Sequence, residues 1–210
     1  MKRYECMQAI ASMLKDELVV STAGGATSEW DHIRPSDGNL QVRTLGLCSS
    51  IGLGLAFALP RRKVLVFDGD GALWMNLNSL ATIGLHKPKN LIHLCWDNKE
   101  YESSGGEPTV STAGTIDFAG VAKEAGIQSS RSAKTVEDLK EALNYALSHE
   151  GPHFIWVCIE AGRTMVPPIR YDELENKYRF IRYIENTEGV TILRVPVPHS
   201  YQGGSHGSGR

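Results

Sequence analysis

The sequence has no long apolar run, little cysteine and no surplus of charge, and each shortage removes a class of protein. Its longest uniformly apolar stretch, residues 51–59, falls far short of the about 20 residues that cross a bilayer. Lys2 and Arg3 open the chain, but Glu5, Lys15, Asp16 and Glu17 break up the apolar residues after them. No signal peptide is read there, and a soluble, cytoplasmic protein with no membrane role is expected. The four cysteines stand alone at 6, 48, 95 and 158, without metal-site or iron–sulfur spacing, which excludes a disulfide scaffold and a cluster carrier. A net charge of −2 lacks the basic footprint of a nucleic-acid binder. Gly52-x-Gly54 has no third glycine and follows no strand, so it is not a dinucleotide fingerprint.

What is present suits one globular domain with terminal extensions: 210 residues, 41% of them hydrophobic, enough for a sizeable core. Helical spacing over residues 2–15 leads into a short strand, 18–22. A polar, Gly-rich loop is expected from 23 to about 41. A small-residue helix at 49–59, stopped by Pro60, precedes a continuous apolar strand at 63–67, the pattern of a strand buried on both faces. A helix at 73–86, a buried strand at 91–96 and a polar loop at 97–115 come next. Helices are expected at about 116–125, at 135–148 with Thr135 as N-cap, and at 171–185, with a last buried strand at 154–159. The Gly/Ser-rich end, 203–210, has the composition of a disordered linker. Strands alternating with helices imply an α/β fold, a doubly wound parallel sheet with right-handed crossovers. Ligands of such sheets bind beyond the carboxyl ends of the strands.

Two of those ends carry chemistry. Strand 63–67 runs into Asp68-Gly69-Asp70-Gly71, and strand 91–96 into Asp97-Asn98-Lys99-Glu100. One βαβ crossover brings both tips to the same sheet edge, where Asp70 and Asn98, 28 positions apart, can approach one point. A carboxylate, an amide oxygen and a backbone carbonyl are hard donors suited to Mg²⁺ that keeps its other positions for phosphate and water. Gly69 and Gly71 allow close backbone approach to a phosphate, and the helix start beyond them presents free N–H groups. A Gly-Asp-Gly alone reads more often as a turn; its place at a buried strand's end, opposite a second such end, favours the site.

Gly-Asp-Gly followed at this distance by Asn resembles the signature of thiamine-diphosphate enzymes, and the run from Gly69 to Gly84 looks like that signature in full. The likeness implies a thiamine-diphosphate-binding fold with a single diphosphate-binding domain at 1–186 and a C-terminal extension at 187–210. It implies thiamine diphosphate and Mg²⁺ as cofactors. Asp70, Asn98 and the carbonyl of Glu100 would be metal ligands, and Gly69, Asp70, Gly71, Ala72, Asn98, Glu100 and Tyr101 would line the cofactor site. Thr44 to Ala56, Ser103 to Thr109 and Glu175-Asn176-Lys177 with Phe180 are similar to segments of phosphonopyruvate and sulfopyruvate decarboxylases. In that alignment Leu45 is the apolar wedge that bends the cofactor, the plain alternative being a core leucine. The carbonyl of Arg43 would accept from the aminopyrimidine. The chain departs from those decarboxylases at Leu47 and Cys48, where they carry a histidine after the glycine, and at Glu107, where they carry glutamine. Both departures bear on the substrate. Cys48 reads better as a small core residue than as an active-site thiol. The loop from Tyr101 to Thr109 is either a cover over substrate or a solvated loop.

The resemblance implies a subunit of a decarboxylase of 2-oxo acids, a carbon–carbon lyase. The glutamate that activates the aminopyrimidine belongs to a pyrimidine-binding domain, for which this sequence has no second doubly wound unit and no internal repeat. That domain is expected on a partner subunit, in an α₂β₂ assembly or a multiple of it. An acetolactate-synthase-like carboligase subunit and a non-catalytic cofactor-binding module are the alternatives.

Overall fold

The computed structural model describes residues 1–193; the expectation of a disordered end at 203–210 lies outside them. Helix α1 (Arg3–Ala11) leads to β1 (Leu18–Thr22), α2 (Gly25–Ile33), β2 (Asn39–Val42), α3 (Cys48–Ala58) and β3 (Val64–Gly69). A short α4 (Asp70–Trp74) and α5 (Asn78–His86) precede β4 (Leu91–Asp97) and a small hairpin, β5 (Glu100–Tyr101) and β6 (Glu107–Pro108). The chain then forms α6 (Phe118–Glu124), β7 (Ser129–Ala133), α7 (Val136–Ser148), β8 (His153–Cys158) and α8 (Glu173–Glu188). Six strands form one parallel sheet in the order β2-β1-β3-β4-β8-β7.

The doubly wound α/β expectation is met. Central strands β1 and β4 are buried along their whole length, because helices cover both faces of the sheet. One core, on the side of α1, α2 and α7, is built around Trp30, Phe67 and Trp96. The other, on the side of α3, α5, α6 and α8, is built around Val66, Leu80, Phe118 and Phe154. Thr135 caps α7 in a reciprocal box, accepting from Asp138 N at 3.1 Å while Asp138 Oδ2 accepts from Thr135 N at 3.0 Å, which satisfies two otherwise free amides.

Several elements differ from the sequence expectation. The loop at 23–41 contains α2 and β2, and β7 was not expected at all. Both strands are polar: β2 reads Asn-Leu-Gln-Val and β7 Ser-Ser-Arg-Ser-Ala. Edge strand β2 is held by side-chain hydrogen bonds. Buried Asn176 of α8 accepts from Gln41 N and donates to Asn39 O, both at 2.9 Å, covering the open edge. The helix expected at 73–86 is broken between Trp74 and Asn78. There Asn76 Nδ2 donates to Gly46 O at 2.7 Å and Ser50 Oγ at 3.0 Å, anchoring the turn to the start of α3. Among the described residues no helix is long and apolar enough to cross a membrane.

Candidate functional site

The chain leaves β1 toward β2 on one side and reaches β3 and β4 on the other, so the strand order reverses between β1 and β3. Such a reversal opens a crevice at the carboxyl ends of the strands. A cleft lies there, lined from β1 and α2 by Thr22 to Ala26, from β3 and α4 by Asp68 to Ala72, and from β4 and the hairpin by Trp96, Asn98 and Glu100 to Ser103. Arg3 and Leu45 complete the wall. The register Gly69↔Trp96 between β3 and β4 sets Asp70 and Asn98 at neighbouring strand ends. The structure thus brings Gly69, Asp70, Gly71, Ala72, Asn98, Glu100, Tyr101 and Leu45 to one cleft. Arg43 does not line the cleft: its side chain lies on an apolar groove between β2, α3 and α8, the guanidinium 3.3 Å from Glu173.

Asp70 is 1% exposed. Burial pushes its carboxyl up to about 7, assisted by the charge of Asp97 and opposed by the hydroxyl of Thr109, which donates to Oδ2 at 2.5 Å. Asn98 is also buried; its Oδ1 accepts from Glu100 N at 3.2 Å. Between them Lys99 turns the chain with φ 63°, and its carbonyl accepts from Thr109 N at 3.2 Å and Thr112 Oγ1 at 2.6 Å. The segment from Tyr101 to Thr109 is therefore folded back onto the strand ends as a hairpin. Tyr101 packs so closely on Gly71 that a Cβ there would collide with its ring.

Thr109→Val keeps the shape and removes the hydroxyl. A hydrogen bond to the charged form favours that form, so its loss should move the Asp70 carboxyl further up, beyond about 7. Carbon-detected NMR titration of Asp70 reads this directly. An unmoved titration would mean that Thr109 does not stabilise the carboxylate.

Reading the sequence missed several residues of this cleft: Arg3, Thr22, Gly24, Gly25 and Trp96; Glu102 belongs to the loop weighed as a cover over substrate, and Thr109, at that loop's end, reaches Asp70 without lining the cleft. Three features fit them to an anionic ligand carrying a cation. Thr22 Oγ1 and Trp96 Nε1 belong to buried cleft residues and have no hydrogen-bond partner, a costly state for a buried donor. The nine-residue α2 begins at the cleft with Gly24 and Gly25, and a helix start carries free N–H groups. Among the described residues no cluster of three or more His, Cys, Asp or Glu could hold a metal, yet a carboxylate and an amide oxygen together suit a hard cation. Cys48 is fully buried and donates to Val20 O at 3.2 Å; burial holds its thiol well above the ordinary range, as an inert core residue requires. Leu47 and Glu107 are exposed.

Residues 34–157 match the family described as "Thiamine pyrophosphate enzyme, C-terminal TPP binding domain". The chain is 37% identical over 185 residues to the sulfopyruvate decarboxylase subunit beta of Methanothermobacter thermautotrophicus, covering 88% of this chain and 96% of that one. It is 38% identical over 154 residues to the phosphonopyruvate decarboxylase of Streptomyces viridochromogenes, covering 73% of this chain but 38% of that longer one. The fold is shared with the crystal structure of benzoylformate decarboxylase from Polynucleobacter necessarius, with a TM-score of 0.65 and 19% identity over 79% of this chain and 34% of the other. With its sheet, its cleft and these matches, the chain belongs to the thiamine pyrophosphate enzyme family, carries that family's C-terminal TPP-binding domain, and is homologous to subunits of TPP-dependent decarboxylases.

Proposed function

We propose that this chain is the diphosphate-binding subunit of a two-subunit decarboxylase acting on a three-carbon 2-oxo acid with an anionic head group, such as sulfopyruvate or phosphonopyruvate. The observation that carries the reading is the meeting, in one cleft, of the oxygen donors Asp70 and Asn98 with the unpaired buried donors of Thr22 and Trp96. Asp70, Asn98 and the carbonyl of Glu100 would hold Mg²⁺. The backbone of Gly69, Gly71 and Ala72, with Tyr101 behind it, would border the diphosphate. When bound, thiamine diphosphate supplies the electron sink that lets a 2-oxo acid lose CO₂. Leu45, at the cleft wall, would bend the cofactor, and the carbonyl of Arg43 would accept from its aminopyrimidine. The pyrimidine end would be completed by a partner subunit carrying the activating glutamate, in an α₂β₂ assembly or a multiple of it.

The test is product analysis on the chain assembled with its pyrimidine-binding subunit. Sulfopyruvate and phosphonopyruvate should each be offered beside pyruvate, with CO₂ and aldehyde measured. Preferential CO₂ release from an anionic-headed acid supports the proposal. A condensed acyloin product would make the protein a carboligase, and cofactor binding with no turnover would make it a binding module.

Leu45→Ala tests the wedge. The metal site holds the diphosphate end, so cofactor affinity should stay within a few-fold. Proton–deuterium exchange at the thiazolium C2 should slow by roughly 10-fold, because a relaxed cofactor loses its near-attack geometry. Unchanged exchange with reduced turnover would remove the wedge role.

A further inference from the structure

We propose that Glu102, held by Arg3, is a positioning residue that orients the amide of Asn98 so that its oxygen end faces the metal; this rests on the metal site proposed above. Glu102 lies on the turn just beyond β5 and makes two contacts through one oxygen. Its Oε2 is 2.8 Å from Arg3 Nη1 and accepts from Asn98 Nδ2 at 3.5 Å. Arg3 is itself immobilised, with Nε 2.8 Å and Nη2 3.2 Å from the carboxylate of Glu29 on α2. Glu29 also accepts from Thr164 N at 2.8 Å. A line of fixed groups therefore runs from α2 through α1 to the segment carrying Asn98. Gly25 admits the pair, since a Cβ there would collide with both Glu102 Oε1 and Arg3 Nη2.

The chemistry of the amide gives this line its purpose. A carboxylate only accepts, so Glu102 selects the NH₂ end of Asn98 and leaves the oxygen end on the opposite side, beside Glu100 N. Only that oxygen can bind a hard cation; a flipped amide would point two hydrogens at it. Stability alone does not account for Glu102. Arg3 already has a carboxylate partner in Glu29, and a second, partly buried carboxylate adds desolvation and repulsion in a cleft lined by Asp68, Asp70 and Glu100.

The test titrates Mg²⁺ and Ca²⁺ calorimetrically, at saturating thiamine diphosphate, into the full chain assembled with its partner, alongside melting of the metal-free chain. Glu102→Ala should raise the Mg²⁺ dissociation constant on the order of 10–100-fold, the usual effect of losing a group that orients a metal ligand. The Ca²⁺ constant should rise less, because Ca²⁺ tolerates loose geometry and Mg²⁺ does not. Melting should change little, since Arg3 keeps Glu29. Glu102→Met is read in parallel, so that a packing loss in the alanine variant does not decide the result. Glu102→Gln, which can still accept from Asn98, should stay within a few-fold of the parent. Asn98→Asp should restore Mg²⁺ binding in the Glu102→Ala background, because a carboxylate presents oxygen either way round, and weaken it in the parent by repulsion. Equal weakening of Mg²⁺ and Ca²⁺, or an unchanged Mg²⁺ constant, overturns the positioning role. Asp70→Asn separates the two levels. If it too binds Mg²⁺ normally, the metal site is misassigned; if it alone loses Mg²⁺, only the role of Glu102 falls.

Discussion

Asp70→Asn is expected to raise the melting temperature of the metal-free chain while reducing its Mg²⁺-dependent affinity for thiamine diphosphate by more than about 100-fold. Both halves follow from one arrangement. The carboxylate is buried at the end of β3, with Thr109 as its hydrogen-bond donor and the like charge of Asp97 nearby. Burial lifts its pKa to about 7, from 3.8 in an unperturbed carboxyl. A carboxyl raised on folding contributes stability that is present below the unfolded value and is lost as pH rises through the folded one. The metal-free parent should accordingly melt lower at pH 8 than at pH 5, with the decline running between the unfolded value of 3.8 and the folded value of about 7 and levelling off above it. Asparagine carries no charge to desolvate and still offers an oxygen to Thr109. At pH 8 it should therefore gain roughly 1–2 kcal/mol, or about 3–6 °C for a chain of this size, and its pH slope across this window should flatten. The same substitution withdraws the negative charge that a divalent cation needs. Differential scanning calorimetry at the two pH values, paired with cofactor titration, checks both. A variant that melts lower than the parent, or binds as tightly, would show that Asp70 is a structural carboxylate and not a ligand.

The second large effect is an all-or-none dependence on a partner. With saturating thiamine diphosphate and Mg²⁺, the purified chain should give no measurable decarboxylation of a 2-oxo acid. Adding the pyrimidine-binding subunit should raise turnover by at least about 10³-fold, the scale on which a positioned acid–base group and correct orientation act together. The carboxylates lining the cleft, Asp68, Asp70, Glu100 and Glu102, sit at the strand ends where the metal and diphosphate are proposed to bind. Self-association brings a second copy of the same groups and no new one. The surface beside Leu45 has the character of a face awaiting cover: Leu47, Met75 and Leu174 are 44%, 57% and 57% exposed. Steady-state assays of the chain alone, of the mixture, and of a mixture whose partner lacks its glutamate make the comparison. Robust turnover by the chain alone would overturn the split-enzyme reading.

The parts of this protein that could be read without coordinates are those specified by short-range pattern. Strands β3, β4 and β8 are largely apolar runs because a parallel sheet covered on both faces has no solvent side. The Gly-Asp-Gly turn and the Asp-Asn pair come directly after two of those runs, so the strand ends, the chemistry attached to them and the family were all legible. The polar elements were not. Asn39 and Gln41 of β2 are buried because Asn176, more than 130 positions away, supplies their backbone partners. A hydrogen bond to a distant residue leaves no periodicity in the chain. The same holds in the cleft. Thr109 reaches Asp70 across 39 positions, and Arg3 joins Glu29 to Glu102 from the first helix. Arginine, glutamate and threonine are ordinary surface residues by composition. Folding decides which of them lose water, and a polar group that has lost water must find its partner in the tertiary structure.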